Sequence, residues 1–209
     1  MSDALVFYTN PMSRGRIVRW MLEELGQPYS TEIIEYGPAM KSPVYLAVNP
    51  MGKVPALRHG NLVVTECAAI CTYLADAFPE SALAPSPSDS ARGVYYRWLF
   101  FGAGPLESAV TNKSLGFEIP ADQPQLQGRS GYGTLERVVN TLDAHLEGRD
   151  FLAGDRFSAA DLYISAQLGW GMQFGTIESR PNFQRYVALH RARPAAVRAT
   201  EIDDLLMKP

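Results

Sequence analysis

The chain has 209 residues, 46% of them hydrophobic and 20% charged, with a formal net charge of −3. That composition suits a globular protein with one large or two small domains and offers no overall basic surface for nucleic acid. No apolar run reaches transmembrane length and no signal-peptide pattern opens the sequence, so the expectation is a cytoplasmic protein with no membrane partner. Its two cysteines, Cys67 and Cys71, lie four apart in one predicted helix, poorly placed to bridge, as suits a reducing compartment.

Residues 4–8 read as a short buried strand ending at the turn formers Asn10 and Pro11. Ser13 sits where a helix cap is expected, and Ile17, Trp20, Met21 and Leu25 recur at helical spacing until Gly26 and Pro28 stop the helix. Residues 29–34 alternate as a second strand, and a strand–helix–strand crossover implies a parallel pair. Residues 37–48 form a weaker, irregular helix that contains Lys41.

Pro55 opens the next strand, because a residue without an N–H is confined to strand edges and first positions. X–Pro bonds are the ones that turn cis at small cost, so Val54–Pro55 is predicted cis, with the N–H and C=O of Val54 left for an extended peptide. A turn at Gly60-Asn61, a strand over 62–64, and Glu66-Cys67 at a helix start complete the unit. Helix N-termini attract carboxylates, so these parts read together as a clamp for a small peptide.

The helix from Glu66 runs to 77, and the Pro- and Ser-rich stretch over 79–89 reads as a linker. Everything beyond it is helical. Residues 90–113 form a long aromatic-rich helix bent at Gly102, Gly104 and Pro105; 116–131 read as an exposed connection; 132–146 are amphipathic. Ser158 and Asp161 fit a capping box at the start of a helix over 159–174, with Asp161 a folding residue worth about 1 kcal/mol or more. Pro181 and Pro194 open the last two helices. His59, His145 and His190 lie in separate elements without ligand spacing, so no metal site is expected.

The order N-P-x-G-K-V-P-A-L, hairpin, E-C-A-A-I-C-T-Y-L resembles the glutathione-binding half of the cytosolic glutathione transferases. F-L-A-G-D…S-A-A-D-L and P-N-F-x-R-Y…R-P-A resemble the family's helical half, so the resemblance covers both parts of the chain. It implies a fold of α/β plus all-α type: a thioredoxin-like domain over 1–78, the linker over 79–89, and an all-helical domain over 90–209. Cys67 departs from the family's usual E-S-x-A-I. Thioredoxin-type redox chemistry is disfavoured, because Pro11-Met12-Ser13-Arg14 contains no cysteine.

The resemblance further implies glutathione as co-substrate and a homodimer. By the same resemblance Val54 pairs with the peptide through its backbone beside Pro55, and Glu66 meets the ammonium. Cys67 then offers its N–H to the γ-glutamyl carboxylate, and Lys41 or Lys53 meets the glycyl carboxylate. A thiol with an ordinary pKa of about 8.5 needs a donor that stabilises its anion at neutral pH. Ser13 leads, in x-P-x-S before an arginine-containing helix as in the serine-using classes; Tyr8 and Asn10 are alternatives, and Arg14 is a further contact. In the tyrosine-using classes the tyrosine lies two residues nearer to R-G-R than Tyr8 does. A second substrate would meet Phe101, Leu106 and Val110 at the helix bend, with Phe117 and Trp170. The expected function is detoxifying conjugation of glutathione to small apolar electrophiles, with peroxide reduction and dehalogenation as variants. The alternative is a non-catalytic binding or dimerisation module on the same fold.

Overall fold

The structure, a computed structural model, describes residues 4–120 and 122–207. The chain divides into two compact units: one holds the residues up to Ala82 together with those from Arg193 onward, the other Leu83–Ala192.

In the first unit a four-stranded sheet has the order β2-β1-β3-β4, formed by β1 (Leu5–Thr9), β2 (Tyr29–Ile33), β3 (Ala56–His59) and β4 (Leu62–Thr65). β1 runs parallel to β2 and antiparallel to β3, which is antiparallel to β4. The period of two decides which face each β1 side chain takes. Leu5, Phe7 and Thr9 are buried, and Phe7 lies under the Arg19 guanidinium of α1 (Gly15–Leu25) at 5.1 Å. Tyr8, on the opposite face, packs its ring against Tyr45 of the short helix α2 (Pro43–Leu46), which a 3-10 turn over Pro38–Lys41 precedes. Ile17, Val18, Met21 and Leu22 of α1 form the core with Leu57 and with Ile70, Cys71 and Leu74 of α3 (Cys67–Ala77). Each such side chain contributes about 1.5–3 kcal/mol by leaving water.

The chain's last helix, which we label α10 (Pro194–Leu205), packs on α1 within this unit. Its charges explain how. Along α1, Arg16, Arg19, Glu23 and Glu24 meet Asp204, Asp203, Arg198 and Arg193 in falling order, so the two helices run antiparallel with complementary halves. Arg19–Asp203 is the buried member, the two side chains being 2% and 1% exposed and 2.9 Å apart. Burial pushes the Asp203 carboxyl up against the pull of Arg19. Arg19 also donates to Tyr29 Oη and Thr31 Oγ1. Burial, then the bond Tyr29 donates to Glu23 at 2.6 Å, lifts that phenol to about 12. The sequence-based boundary assigns residues 193–209 to the helical half; by contact they group with the first unit.

The second unit comprises α4 (Ala91–Phe101), α5 (Glu107–Leu115), α6 (Pro124–Arg129), α7 (Leu135–Leu146), α8 (Ala159–Gln173) and α9 (Pro181–Arg191). The predicted bend is a π-helical turn over Gly102–Leu106, with Pro105, which has no N–H for the regular ladder, inside it. Gly102 is there because a Cβ would sit 2.8 Å from the Tyr163 ring and 2.9 Å from Ile164 on α8. α8 is buried on every side over residues 159–169 and forms the centre of this unit. The connection predicted over 116–131 contains α6, which Pro124 opens, and α7 starts at 135 because Thr134 Oγ1 accepts the Arg137 N–H at 3.2 Å. Among the described residues no helix is long and apolar enough to cross a membrane.

Candidate active site

Strand register gathers the candidate residues of the first unit at one end of the sheet. Tyr8, next to last in β1, lies opposite Ala56, and Ala56 lies opposite Thr65. The turn after β1, the loop before β3 and the start of α3 therefore emerge side by side, beyond the carboxyl end of β1, where open α/β sheets bind ligands. The Cys67 Sγ–H donates to Arg14 O at 3.5 Å, joining the starts of α3 and α1. Neither α1 nor α3 has a side-chain cap at its N-cap residue, Arg14 or Glu66. Each N-terminus carries about half a positive charge, so the two together favour an anion.

The turn that presents Ser13 is held carbonyl by carbonyl. Asn10 O accepts both the N–H and the Oγ–H of Ser13, at 3.0 and 2.7 Å. Pro11 O accepts from Arg16 Nε at 2.6 Å, and Met12 O from Tyr36 Oη at 3.2 Å. Ser13 Oγ in turn accepts the Gly15 N–H at 2.9 Å. Because Asn10 O keeps the Ser13 N–H, the half-buried hydroxyl can swing to an outside anion without stranding a carbonyl. Gly15 has no substitute here, since a Cβ would collide with Thr9 Oγ1. Arg14 is exposed.

The alternatives to Ser13 are placed differently. Asn10 is 4% exposed, its Oδ1 accepting the Met12 N–H at 3.0 Å and its Nδ2 donating to Ile34 O at 3.1 Å. Its amide thus shapes the turn through both its oxygen and its nitrogen. Tyr8 is half-buried on the α2 face. Its neighbour Tyr45 is raised to about 12, by burial first and the Tyr8 hydroxyl second.

The loop before β3 is fixed from within. Lys53 O accepts from Tyr45 Oη at 2.6 Å and Asn49 Nδ2 at 2.7 Å, and the Val54–Pro55 peptide that follows is cis. Lys41 Nζ donates to Met51 O and Gly52 O, at 3.0 and 3.1 Å. Two of its three donors thus staple the loop, whereas Lys53 is exposed. Glu66 is exposed at φ 69°, a backbone conformation that strains any residue with a Cβ. Cys67 is 8% exposed, with its thiol turned to Arg14 O.

Of the side chains expected to meet a second substrate, Leu106 is 0% exposed and belongs to the core. This corrects the expectation, which took the helix bend to turn Leu106 outward. Phe101, Val110 and Trp170 are half-buried, and Phe117 is exposed. Sequence reasoning passed over Arg16, Tyr36, Tyr45 and Asn49, which hold the two site loops; R-G-R was the one available pointer, to Arg16.

Comparison with known proteins agrees with this geometry. Residues 12–77 match the glutathione S-transferase N-terminal domain and residues 117–194 the glutathione S-transferase C-terminal domain. The glutathione S-transferase GST-4.5 of Xanthomonas campestris is 32% identical over 163 residues, 76% of each chain. A glutathione transferase structure from Methylococcus capsulatus superposes with a TM-score of 0.79 at 30% identity, covering 97% of this chain and 100% of that one. A sphingomonad glutathione S-transferase complexed with glutathione gives 0.77 at 28% identity, covering 96% and 99%. A thioredoxin-like unit with a helical one, and matches across both, define a two-part transferase fold. The chain belongs to the glutathione S-transferase family.

Proposed function

We propose that this chain is an enzyme that binds glutathione beyond the carboxyl end of β1 and joins its sulfur to a small, largely apolar electrophile. The observation that carries this reading is the register that brings the turn after β1, the loop before β3 and the start of α3 together at one end of the sheet, with Cys67 Sγ hydrogen-bonded to Arg14 O. The α3 start takes the γ-glutamyl end: the Cys67 N–H meets its carboxylate and the exposed Glu66 its ammonium. Val54 pairs with the peptide through its backbone, beside Pro55, and Lys53 meets the glycyl carboxylate while Lys41 holds the loop. Arg14 lies at the rim as a further cation. Ser13 turns its hydroxyl from Asn10 O to the sulfur. The positive end of α1 adds to that donor, and together they favour the thiolate.

The thiol proton leaves to solvent, and the thiolate lone pair forms the S–C bond as the bond to the leaving group breaks and that group departs with its electron pair. Holding the thiolate ready and oriented supplies the acceleration. Peroxide reduction and dehalogenation are variants of the same attack. Phe101, Val110, Phe117 and Trp170 are the helical-unit side chains proposed to meet an apolar electrophile. The proposed assembly is a homodimer, which sedimentation at micromolar concentration checks.

Calorimetric titration with glutathione tests the binding, and absence of heat at millimolar ligand would end the reading. Ultraviolet difference spectra across pH then locate the thiolate. Ser13→Ala is expected to return the bound thiol toward about 8.5 and to lower kcat with chlorodinitrobenzene about 100-fold. If Tyr8→Phe does so and Ser13→Ala does not, the donor is Tyr8.

A further inference from the structure

Arg16 faces two ways. Its Nε donates to Pro11 O at 2.6 Å, inside the turn that presents Ser13. Its Nη2 donates to Asp204 Oδ1 at 2.7 Å, near the end of α10, with Met207 Sδ 3.4 Å from the same nitrogen. A guanidinium is a planar, rigid fork, so anchoring one edge at Asp204 aims the other at Pro11. The remaining ion pairs between α1 and α10, Arg19–Asp203, Arg193–Glu24 and Arg198–Glu23, already hold the helices together, and none of them reaches the turn. Asp204 is half exposed, so as a source of adhesion it adds little. What it supplies, as the charged partner of Nη2, is the direction of Arg16.

We propose that Asp204 is a positioning residue for the thiol-binding turn, acting through Arg16, so that the end of α10 sets how Ser13 is presented. The proposal rests on the assignment of that turn to the glutathione sulfur. Without Asp204 the guanidinium swings toward solvent and Pro11 O loses its donor. The turn then samples orientations in which the Ser13 hydroxyl no longer points where the sulfur lies. Glutathione itself remains bound, because Glu66, Cys67 and Val54 are untouched. The effect therefore belongs to kcat and to the ionisation of the bound thiol, and not to KM for glutathione.

The full chain carrying Asp204→Ala, Asp204→Asn or Arg198→Ala tests this, with glutathione and chlorodinitrobenzene for kinetics and ultraviolet titration for the bound thiol. Asp204→Ala is expected to lower kcat about fivefold and raise the thiol's apparent pKa by about half a unit, with KM for glutathione within about twofold. Asp204→Asn, whose amide oxygen still accepts the Nη2–H, is expected to stay within about twofold of the unaltered chain in kcat. Arg198→Ala breaks a neighbouring pair of the same two helices; it is expected to lower Tm as much as Asp204→Ala while leaving the thiol's ionisation unmoved. The proposal is overturned if Asp204→Ala leaves kcat and the thiol unchanged, or if Arg198→Ala shifts them equally. Ser13→Ala separates the two levels: if it leaves the thiol unmoved, the assignment of the turn fails. If it moves the thiol and Asp204→Ala does not, only the role of Asp204 fails.

Discussion

The N-terminus of α8 and those of α1 and α3 solve one problem in opposite ways. Each helix begins with N–H groups that lack partners within the helix. At α8 the chain answers internally: Asp161, 0% exposed, accepts from the N–H and Oγ–H of Ser158 at 2.8 Å each, from the Leu152 N–H at 2.7 Å and from Tyr186 Oη at 2.6 Å. At α1 and α3 the N-cap side chains, Arg14 and Glu66, are exposed and make no such bond, and at α1 the half-buried Ser13 hydroxyl takes the Gly15 N–H instead. A cap made by a buried carboxylate serves folding, and a helix start without one keeps its positive end available to an anion. The same local chemistry is thus divided between the two units by whether a carboxylate is supplied from within.

The largest test of the contrast is at the closed end. Asp161→Ala strands four donors in the core and is expected to destabilise the chain by about 3 kcal/mol or more in urea unfolding. The glutathione affinity of the fraction that folds should be unchanged. Burial raises the Asp161 carboxyl and its four donors pull it back, while Tyr186 is held far above its ordinary range by burial and by the same carboxylate.

At the open end the expected effect falls on binding. Glu66→Gly removes the carboxylate and relieves φ 69°, so KM for glutathione should rise about tenfold, equivalent to about 1.4 kcal/mol, while the fold gains up to about 1 kcal/mol. A variant that lost stability instead would show the strain to be absent. An N-terminus kept open for a ligand should be improvable as structure only at the expense of binding.

The smallest effect sharpens the closed side through pH. His145 Nε2 bonds to Leu152 O at 3.0 Å, and Leu152 also serves Asp161; the imidazole packs 4.4 Å from the Trp98 ring. Burial lowers its pKa below the ordinary 6.5, with Arg149 and Arg97 adding to the shift and the Leu152 bond opposing it. Since the folded state favours the neutral ring, its contribution is present above pH 6.5 and is lost as pH falls through the lowered folded value. Denaturation midpoints between pH 7 and 5 should therefore decline, and His145→Gln should flatten part of that decline.

What the sequence showed was local. The short apolar run of residues 4–8, the proline at the start of β3, Glu66-Cys67 before an apolar helix and the Ser158–Asp161 spacing all carry their signal within a few residues. What it hid was set by distance or by neighbours. Nothing near Arg19 announces that its counter-charge is Asp203, so the contact between the last helix and α1 was not foreseen. Lys41 looks like any surface lysine until its two carbonyl acceptors are in place. Asn10 looks like a free donor until Ile34, just after β2, arrives to accept from its Nδ2. Leu106 lies in the π turn between the half-buried Phe101 and Val110 and is itself fully buried.

The grouping of α10 with the first unit makes that unit a fold written in two instalments, with the helical unit's sequence inserted between them. During synthesis β1, α1 and β2 emerge early, but the carboxylate that neutralises Arg19 follows 184 residues later. A chain stopped before residue 193 would hold a cation in an apolar setting with no counter-charge, and the first unit would close poorly around it. The first unit can therefore begin to fold early but completes its α1–α10 pairing only after residues 194–205 have been made.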